Sequence, residues 1–267
     1  MSSAEYPRFS VDFENRVVIV TGAASGIGAE VARSLVASGA RVLATDRSPV
    51  GLASLVEAAS DLPGSVATFE ADLLDPAAPA AIVAAALAEF GAIDGLVSCA
   101  GVFETAAIED VTPESFDRVI GINLKAPIFL VGAARPHLGR GSAIVLIASG
   151  TSIGPTGYQG VYAASKAGIA KLAASLAAEV GEAGIRVNAV SPGFTDTPMI
   201  ASSLEDTVLT DLLIQSIPDR SIGTPKDVAD AVMFLLSDGA RHIHGINLPL
   251  DGGFSQVAVT PALRAAE

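Results

Sequence analysis

Tryptophan is absent from this 267-residue chain, and cysteine occurs once, at Cys99. A single cysteine excludes an internal disulfide framework and points to a reducing cytoplasm. Basic residues are scarce, with 16 Lys and Arg against 29 Asp and Glu, for a formal net charge of −13. That balance argues against a nucleic-acid backbone, which needs clustered Lys and Arg, and against a strongly anionic protein partner. Long apolar runs are missing as well. Mean hydropathy is +0.51, yet the longest strictly apolar stretch, Ala80–Ala88, has nine residues. A bilayer span needs about 20, so no membrane association is expected. The opening Met-Ser-Ser-Ala-Glu-Tyr-Pro-Arg has no basic start followed by an apolar core and reads as no secretory signal. What remains is a chain with a large core to bury and a small, mostly neutral molecule as its default partner.

Short β-branched runs alternate with Ala-rich segments of helical length. The runs are Val17–Val20, Arg41–Thr45, Ser65–Glu70, Asp94–Ser98, Ser142–Ala148, Arg186–Val190 and Ile246–Leu250. Helices are expected near 26–38, 50–60, 76–90, 113–136, 160–181 and 225–237. Near-continuous apolar strands separated by helices predict one α/β domain, a doubly wound parallel sheet of about seven strands covered on both faces. Thr112-Pro113-Glu114 and Thr224-Pro225-Lys226 each offer a hydroxyl cap with proline at the first helical position. The domain spans 13–254, and residues 1–12 and 255–267 read as peripheral arms. Alternation stops between Val190 and Thr224, and this excursion, 191–223, is expected to form a substrate lid.

Directly after the first strand comes Thr21-Gly22-Ala23-Ala24-Ser25-Gly26-Ile27-Gly28. Gly22 permits a tight turn, Gly26 lets backbone approach a pyrophosphate, and Gly28 lets the following helix pack closely. The helix N-terminus then offers N–H groups and a positive dipole end to phosphates. Asp46 ends the second strand, 18 positions beyond Gly28, where a carboxylate can hold a ribose diol. A carboxylate there repels a 2′-phosphate, so the expected cofactor is NAD rather than NADP. The adjacent Arg47 could clamp such a phosphate and leaves that choice open. Asp72, with its neighbour Leu73, is a candidate for the adenine edge, or equally a turn residue before Pro76.

Tyr162 and Lys166 stand four residues apart at the start of an Ala-rich helix and share one face. A phenol with a pKa of about 10 is a poor base at neutral pH, and a nearby ammonium is expected to lower it by about 1–3 units. Tyr162 can then exchange a proton with an alcohol while hydride leaves the carbinol carbon. Ser149 ends the fifth strand, where its hydroxyl can bond the same substrate oxygen. His242 and His244 lack a suitably spaced third ligand, and no metal site is expected.

With these residues in view, the chain resembles the short-chain dehydrogenase/reductase family from about Val17 to Gly253. The resemblance rests on Thr21-Gly22-x-x-x-Gly26-Ile27-Gly28, Asp72, Ala100-Gly101, Asn123, Ser149, Tyr162-x-x-x-Lys166, Pro192-Gly193 and Asp251-Gly252-Gly253. It implies a Rossmann-type fold, a homotetramer, and a catalytic tetrad of Asn123, Ser149, Tyr162 and Lys166. It further implies that Lys166 holds the nicotinamide ribose and that Asn123 anchors a water linking Lys166 to solvent. Pro192 to Thr197 resembles the segment that binds the carboxamide, with Thr195 backbone and Thr197 hydroxyl as contacts. One departure is Ser98-Cys99 where the family often has Asn-Asn, which leaves the hydrogen bonding beneath the cofactor in question.

The expected substrate wall is Gly150, Thr151, Ile153, Tyr158, Phe194, Met199 and Ile200, largely apolar with a few hydroxyls. No Arg or Lys lies between Gly141 and Lys166, nor in the lid before Arg220. The expectation is therefore a neutral or weakly polar secondary alcohol or diol and its ketone. Two alternatives share the fold: an NADPH-dependent 3-ketoacyl reductase and a cyclic dihydrodiol dehydrogenase. A third, of another class, is a non-catalytic NAD-binding sensor or scaffold.

Overall fold

A computed structural model describes residues 12–154 and 157–257. Most of both peripheral arms read from the sequence lies outside the described residues. The β-branched runs become β1 (Val17–Thr21), β2 (Arg41–Asp46), β3 (Ser65–Glu70), β4 (Gly95–Ser98), β5 (Ala143–Ile147), β6 (Arg186–Pro192) and β7 (Asn247–Leu250). All pair in parallel, in the order β3-β2-β1-β4-β5-β6-β7.

Strand alternation sorts side chains onto two cores. Val18, Val20, Val42, Ala44, Val97 and Val145 face one side, where α1 (Gly26–Ala37), α2 (Pro49–Ala58) and α9 (Pro225–Leu236) pack. Ile19, Leu43, Leu96, Ile144 and Leu146 face the other, against α3 (Ala78–Phe90), α5 (Ala126–Ala134) and α6 (Gly160–Val180). Both Thr-Pro helix starts form capping boxes, at α4 (Pro113–Ile120) and at α9. Arg186, at the start of β6, is buried, and its guanidinium donates to the Leu235, Leu236 and Ser237 carbonyls at the end of α9. Strand order reverses between β1 and β4, which opens a crevice at their carboxyl ends, where such sheets bind ligands.

Two expected elements differ. The helix read over 113–136 is α4, a π-turn at Gly121–Lys125, α5, and a 3₁₀ turn at Arg135–His137. Pro127 explains the break: it has no N–H to give the carbonyl four residues back, that of Asn123. By length and composition Pro113–His137 could cross a membrane. Here α4 packs on α6 and α5 on α3 instead. The excursion after β6 holds two helices, α7 (Ala201–Glu205) and α8 (Thr207–Ser216), and a Thr195–Gly223 bridge ties its ends together.

Candidate active site

The turn after β1 is closed by contacts that only glycine allows. Gly22 has φ +71°, and a Cβ on it would lie 2.7 Å from the Ala100 backbone. A Cβ on Gly28 would lie 2.1 Å from the Gly22 carbonyl oxygen. Helix α1 therefore starts against the turn itself. Its cap, Ser25, is extended and makes no side-chain capping bond, and the first turn carries no acidic residue. The amino end is left with free donors and a positive dipole, the chemistry that a pyrophosphate needs.

Asp46 accepts from Ser48 N–H at 3.0 Å through Oδ1 and from Ala24 N–H at 3.3 Å through Oδ2. These bonds fix the carboxylate at the crevice wall beside Arg47. Asp72 accepts from Leu74 N–H at 2.9 Å, a turn bond, and also faces the crevice with Leu73. At the end of β4, Thr21 Oγ1 accepts from Cys99 N–H at 3.1 Å and Ala100 N–H at 3.2 Å. The β1 hydroxyl thus ties down the turn that begins at Ser98. Burial pushes the Cys99 thiol up to about 12, which leaves it inert.

At the far end, Tyr162 and Lys166 emerge from the first turns of α6, and Ser149 from the end of β5. Ser149 Oγ hydrogen-bonds the Tyr162 hydroxyl and accepts from Thr151 N–H and Oγ1 at 3.2 and 3.1 Å. Lys166 Nζ donates to the Ile147 carbonyl at 2.9 Å. Asn123, in the π-turn, binds both backbone groups of Val102 and donates to Ser165 Oγ at 3.2 Å. Ser165 in turn donates to the Tyr162 carbonyl at 2.6 Å. A Cβ on Gly101 would make ordinary contact, at 3.4 Å, with both Asn123 Oδ1 and Lys166 Nζ, which places Gly101 beside the two groups. Phe103 meets the Tyr162 ring edge-on, with centroids 4.9 Å apart.

The electrostatics differ from the sequence expectation. Burial holds the Tyr162 hydroxyl above the ordinary phenol value, opposed by the Ser149 bond. Lys166 does not bond the phenol: its Nζ lies 5.9 Å from the ring centroid, and burial lowers its ammonium to about 8. Burial outweighs the Ser149 hydrogen bond, so the shift runs opposite to the one that spacing alone suggests.

A single cavity of about 390 Å³ collects most of the expected residues. Its walls include Gly22, Ser25, Gly26, Ile27, Gly28, Asp46, Arg47, Asp72, Leu73, Ala100, Gly101, Ser149, Thr151, Tyr162, Lys166, Pro192, Gly193, Phe194, Thr195, Thr197 and Met199. Asn123 is buried behind the wall. Ile153 and Tyr158 are not brought to the cavity. Tyr158 turns in left-handed backbone, φ 59°, with its carbonyl bonded to Ala106 N–H, and its side chain is 74% exposed. Val102, Phe103, Gln159 and Phe254 also line the cavity, although no sequence motif marks them. For Gln159 a signal existed, since it lies three residues before Tyr162 on the same helix face. Phe254 meets Phe194 edge-on at 5.3 Å, a contact between distant segments. His244 accepts from Val187 N–H through Nδ1 and bonds the Ala177 carbonyl through Nε2, so both its ring nitrogens are engaged.

A switch-point crevice floored by a glycine turn, with a buried tyrosine and lysine at its far end, defines the class: a Rossmann-type oxidoreductase using a nicotinamide dinucleotide. Comparison with known proteins narrows it. Residues 22–255 match the family model described as enoyl-(acyl carrier protein) reductase. The chain is 37% identical over 253 residues to 2-(R)-hydroxypropyl-CoM dehydrogenase of Xanthobacter autotrophicus, covering 91% of this chain and 100% of that one. It is 35% identical over 246 residues to L-rhamnose 1-dehydrogenase (NAD(P)(+)) of Azotobacter vinelandii, covering 90% and 96%. A short-chain type dehydrogenase/reductase from Mycobacterium ulcerans superposes with a TM-score of 0.88 at 31% identity, covering 91% of each chain. The chain belongs to the short-chain dehydrogenase/reductase family.

Proposed function

We propose that the protein interconverts a neutral or weakly polar secondary alcohol or diol and its ketone, with NAD(H) as cofactor and Tyr162 as the acid–base group. The observation that carries this reading is the meeting of Tyr162, Ser149 and Lys166 on the wall of a cavity that runs to Asp46. The glycine turn and uncapped α1 fit a pyrophosphate, and Asp46 fits an unphosphorylated ribose. When bound, the nicotinamide ring accepts or returns the hydride, and its oxidised form adds a positive charge. The residues do the rest. Ser149 holds the substrate oxygen, and Tyr162 takes its proton in oxidation or supplies it in reduction. Lys166 brings an ammonium beside the ring of Tyr162 and offers further protons to the ribose. Asn123 and Ser165 hold the backbone of Val102 and Tyr162 in place around this group.

Residues 191–223 serve as the substrate lid, supported by Thr197, Pro198, Met199 and Ile200 on the cavity wall. A homotetramer is supported by Phe116, Ile128 and Phe129, exposed on α4 and α5. The single cysteine supports a cytoplasmic location. A ketoacyl reductase is favoured by a 36% identical 3-oxoacyl-[acyl-carrier-protein] reductase of Thermotoga maritima. Against it stands the lid, which has no Lys or Arg before Arg220 to meet an acidic carrier.

The test is turnover by wild type and Tyr162→Phe across secondary alcohols, cyclic diols and ketones, followed by dinucleotide absorbance. The reading expects kcat to fall by about 10²–10⁴ in the variant, with the cofactor Kd nearly unchanged. Equal kcat would remove Tyr162 from the mechanism.

A further inference from the structure

Gln159 occupies the N-terminal boundary of α6, three residues before Tyr162, and lines the cavity together with Ser149, Thr151 and Phe103. Among the described residues, its Oε1 is the one buried side-chain N or O atom without a hydrogen-bond partner. Side-chain amides elsewhere in the fold are satisfied. Asn123 bonds Val102 and Ser165, Asn188 bonds the Ile243 carbonyl and Ile246 N–H, and Asn247 bonds Ser191 and Ser152. Buried polar atoms in folded proteins nearly always find partners, so an orphan acceptor on a residue of the cavity wall gains a bond if the amide turns to meet a donor on a ligand.

The surroundings narrow what that ligand group is. No cationic side chain stands near this end apart from Lys166, which is committed to the Ile147 carbonyl. The Thr151 hydroxyl donates to Ser149 and is not free to donate elsewhere. Ser149 and Tyr162 are reserved for the reacting oxygen. The donor must come from the ligand, and it must be a second polar group beyond the carbinol. A glutamine's terminal torsion is broad, so the amide can present oxygen or nitrogen to a hydroxyl, which both donates and accepts.

We propose that Gln159 reads a second hydroxyl on the substrate, so that the enzyme selects a diol or polyol over a monohydric alcohol. The inference rests on the alcohol–ketone reading above and deepens it. Gln159 is thus a specificity residue on the face that carries Tyr162.

The experiment compares kcat/KM for butane-2,3-diol and butan-2-ol, with NAD and NADP, in wild type and in Gln159→Met, a near-isostere without the amide. Wild type is expected to prefer the diol, and the diol-to-monool ratio should drop roughly three- to tenfold in the variant, the value of one neutral hydrogen bond. A wild-type ratio at or below one overturns the inference without any variant. An unchanged ratio in folded Gln159→Met, or in Gln159→Asn where the methionine variant does not fold, also overturns it. If neither alcohol nor the corresponding ketone turns over with either dinucleotide, the underlying reading fails, and the specificity claim falls with it.

Discussion

The side-chain amide of Asn123 holds both backbone groups of Val102: Oδ1 accepts the N–H at 2.8 Å, and Nδ2 donates to the carbonyl at 2.9 Å. The pairing imitates one rung of a β-ladder, made between a helix bulge and the loop after β4. It joins the floor of the crevice to the helix face that carries the acid–base group, because Asn123 also bonds Ser165.

Replacing Asn123 by Leu leaves a buried N–H, a carbonyl and a hydroxyl without this partner. We expect a stability loss of about 3 kcal/mol by urea unfolding, together with a fall in kcat. Asn123→Asp keeps an acceptor for the Val102 N–H but has no donor for the Val102 carbonyl or Ser165, so it should recover only part of that loss. A variant as stable as wild type would contradict the pairing.

Lys166 predicts a pH dependence of stability. Its folded pKa is lowered to about 8 by burial, whereas an unfolded lysine titrates near 10.4. Below about pH 8 both states hold the proton, and burying the charge is a cost. Between about pH 8 and 10.4 the unfolded chain binds more protons, so this group's contribution to stability rises with pH, by at most ~1.4 kcal/mol per unit. The difference in unfolding free energy between wild type and Lys166→Met should rise over that window. A flat difference would contradict the depressed pKa.

Asp46 predicts cofactor choice. In wild type, kcat/KM with NAD should exceed that with NADP, and Asp46→Ser should move the ratio toward NADP on the order of ten- to hundredfold. Arg47 beside it then becomes the natural phosphate partner. Wild-type preference for NADP would overturn the assignment of Asp46.

Much of this architecture is local and therefore readable from the chain. Strand runs show as β-branched clusters, the phosphate turn as glycine spacing, and the Tyr162–Lys166 face as a four-residue interval. What escaped depends on distance in sequence or on solvent. Spacing reveals that Lys166 is a neighbour of Tyr162 but not how deeply the phenol is buried, and burial sets the direction of its shift. Ile153 and Tyr158 follow Ser149 in sequence, which points to the substrate wall, but the left-handed turn at Tyr158 sends that side chain outward. Phe254 could not be foreseen, since its place beside Phe194 arises only when β6 and β7 pair. Pro127 was in plain view inside the helix read over 113–136, and its missing donor was the clue to the π-turn.

That proline has a reach beyond the bulge it creates. One residue added to a helical turn shifts everything after it by about 100° around the axis. The two halves of 113–134 consequently obey two different helical wheels, the first turned to α6 and the second to α3. A substitution that let the rod run straight would swing Leu130 and Val131 out of their seats and carry Asn123 away from Val102 in the same motion. Packing on the far flank and order around the reactive centre are therefore set by one imino acid.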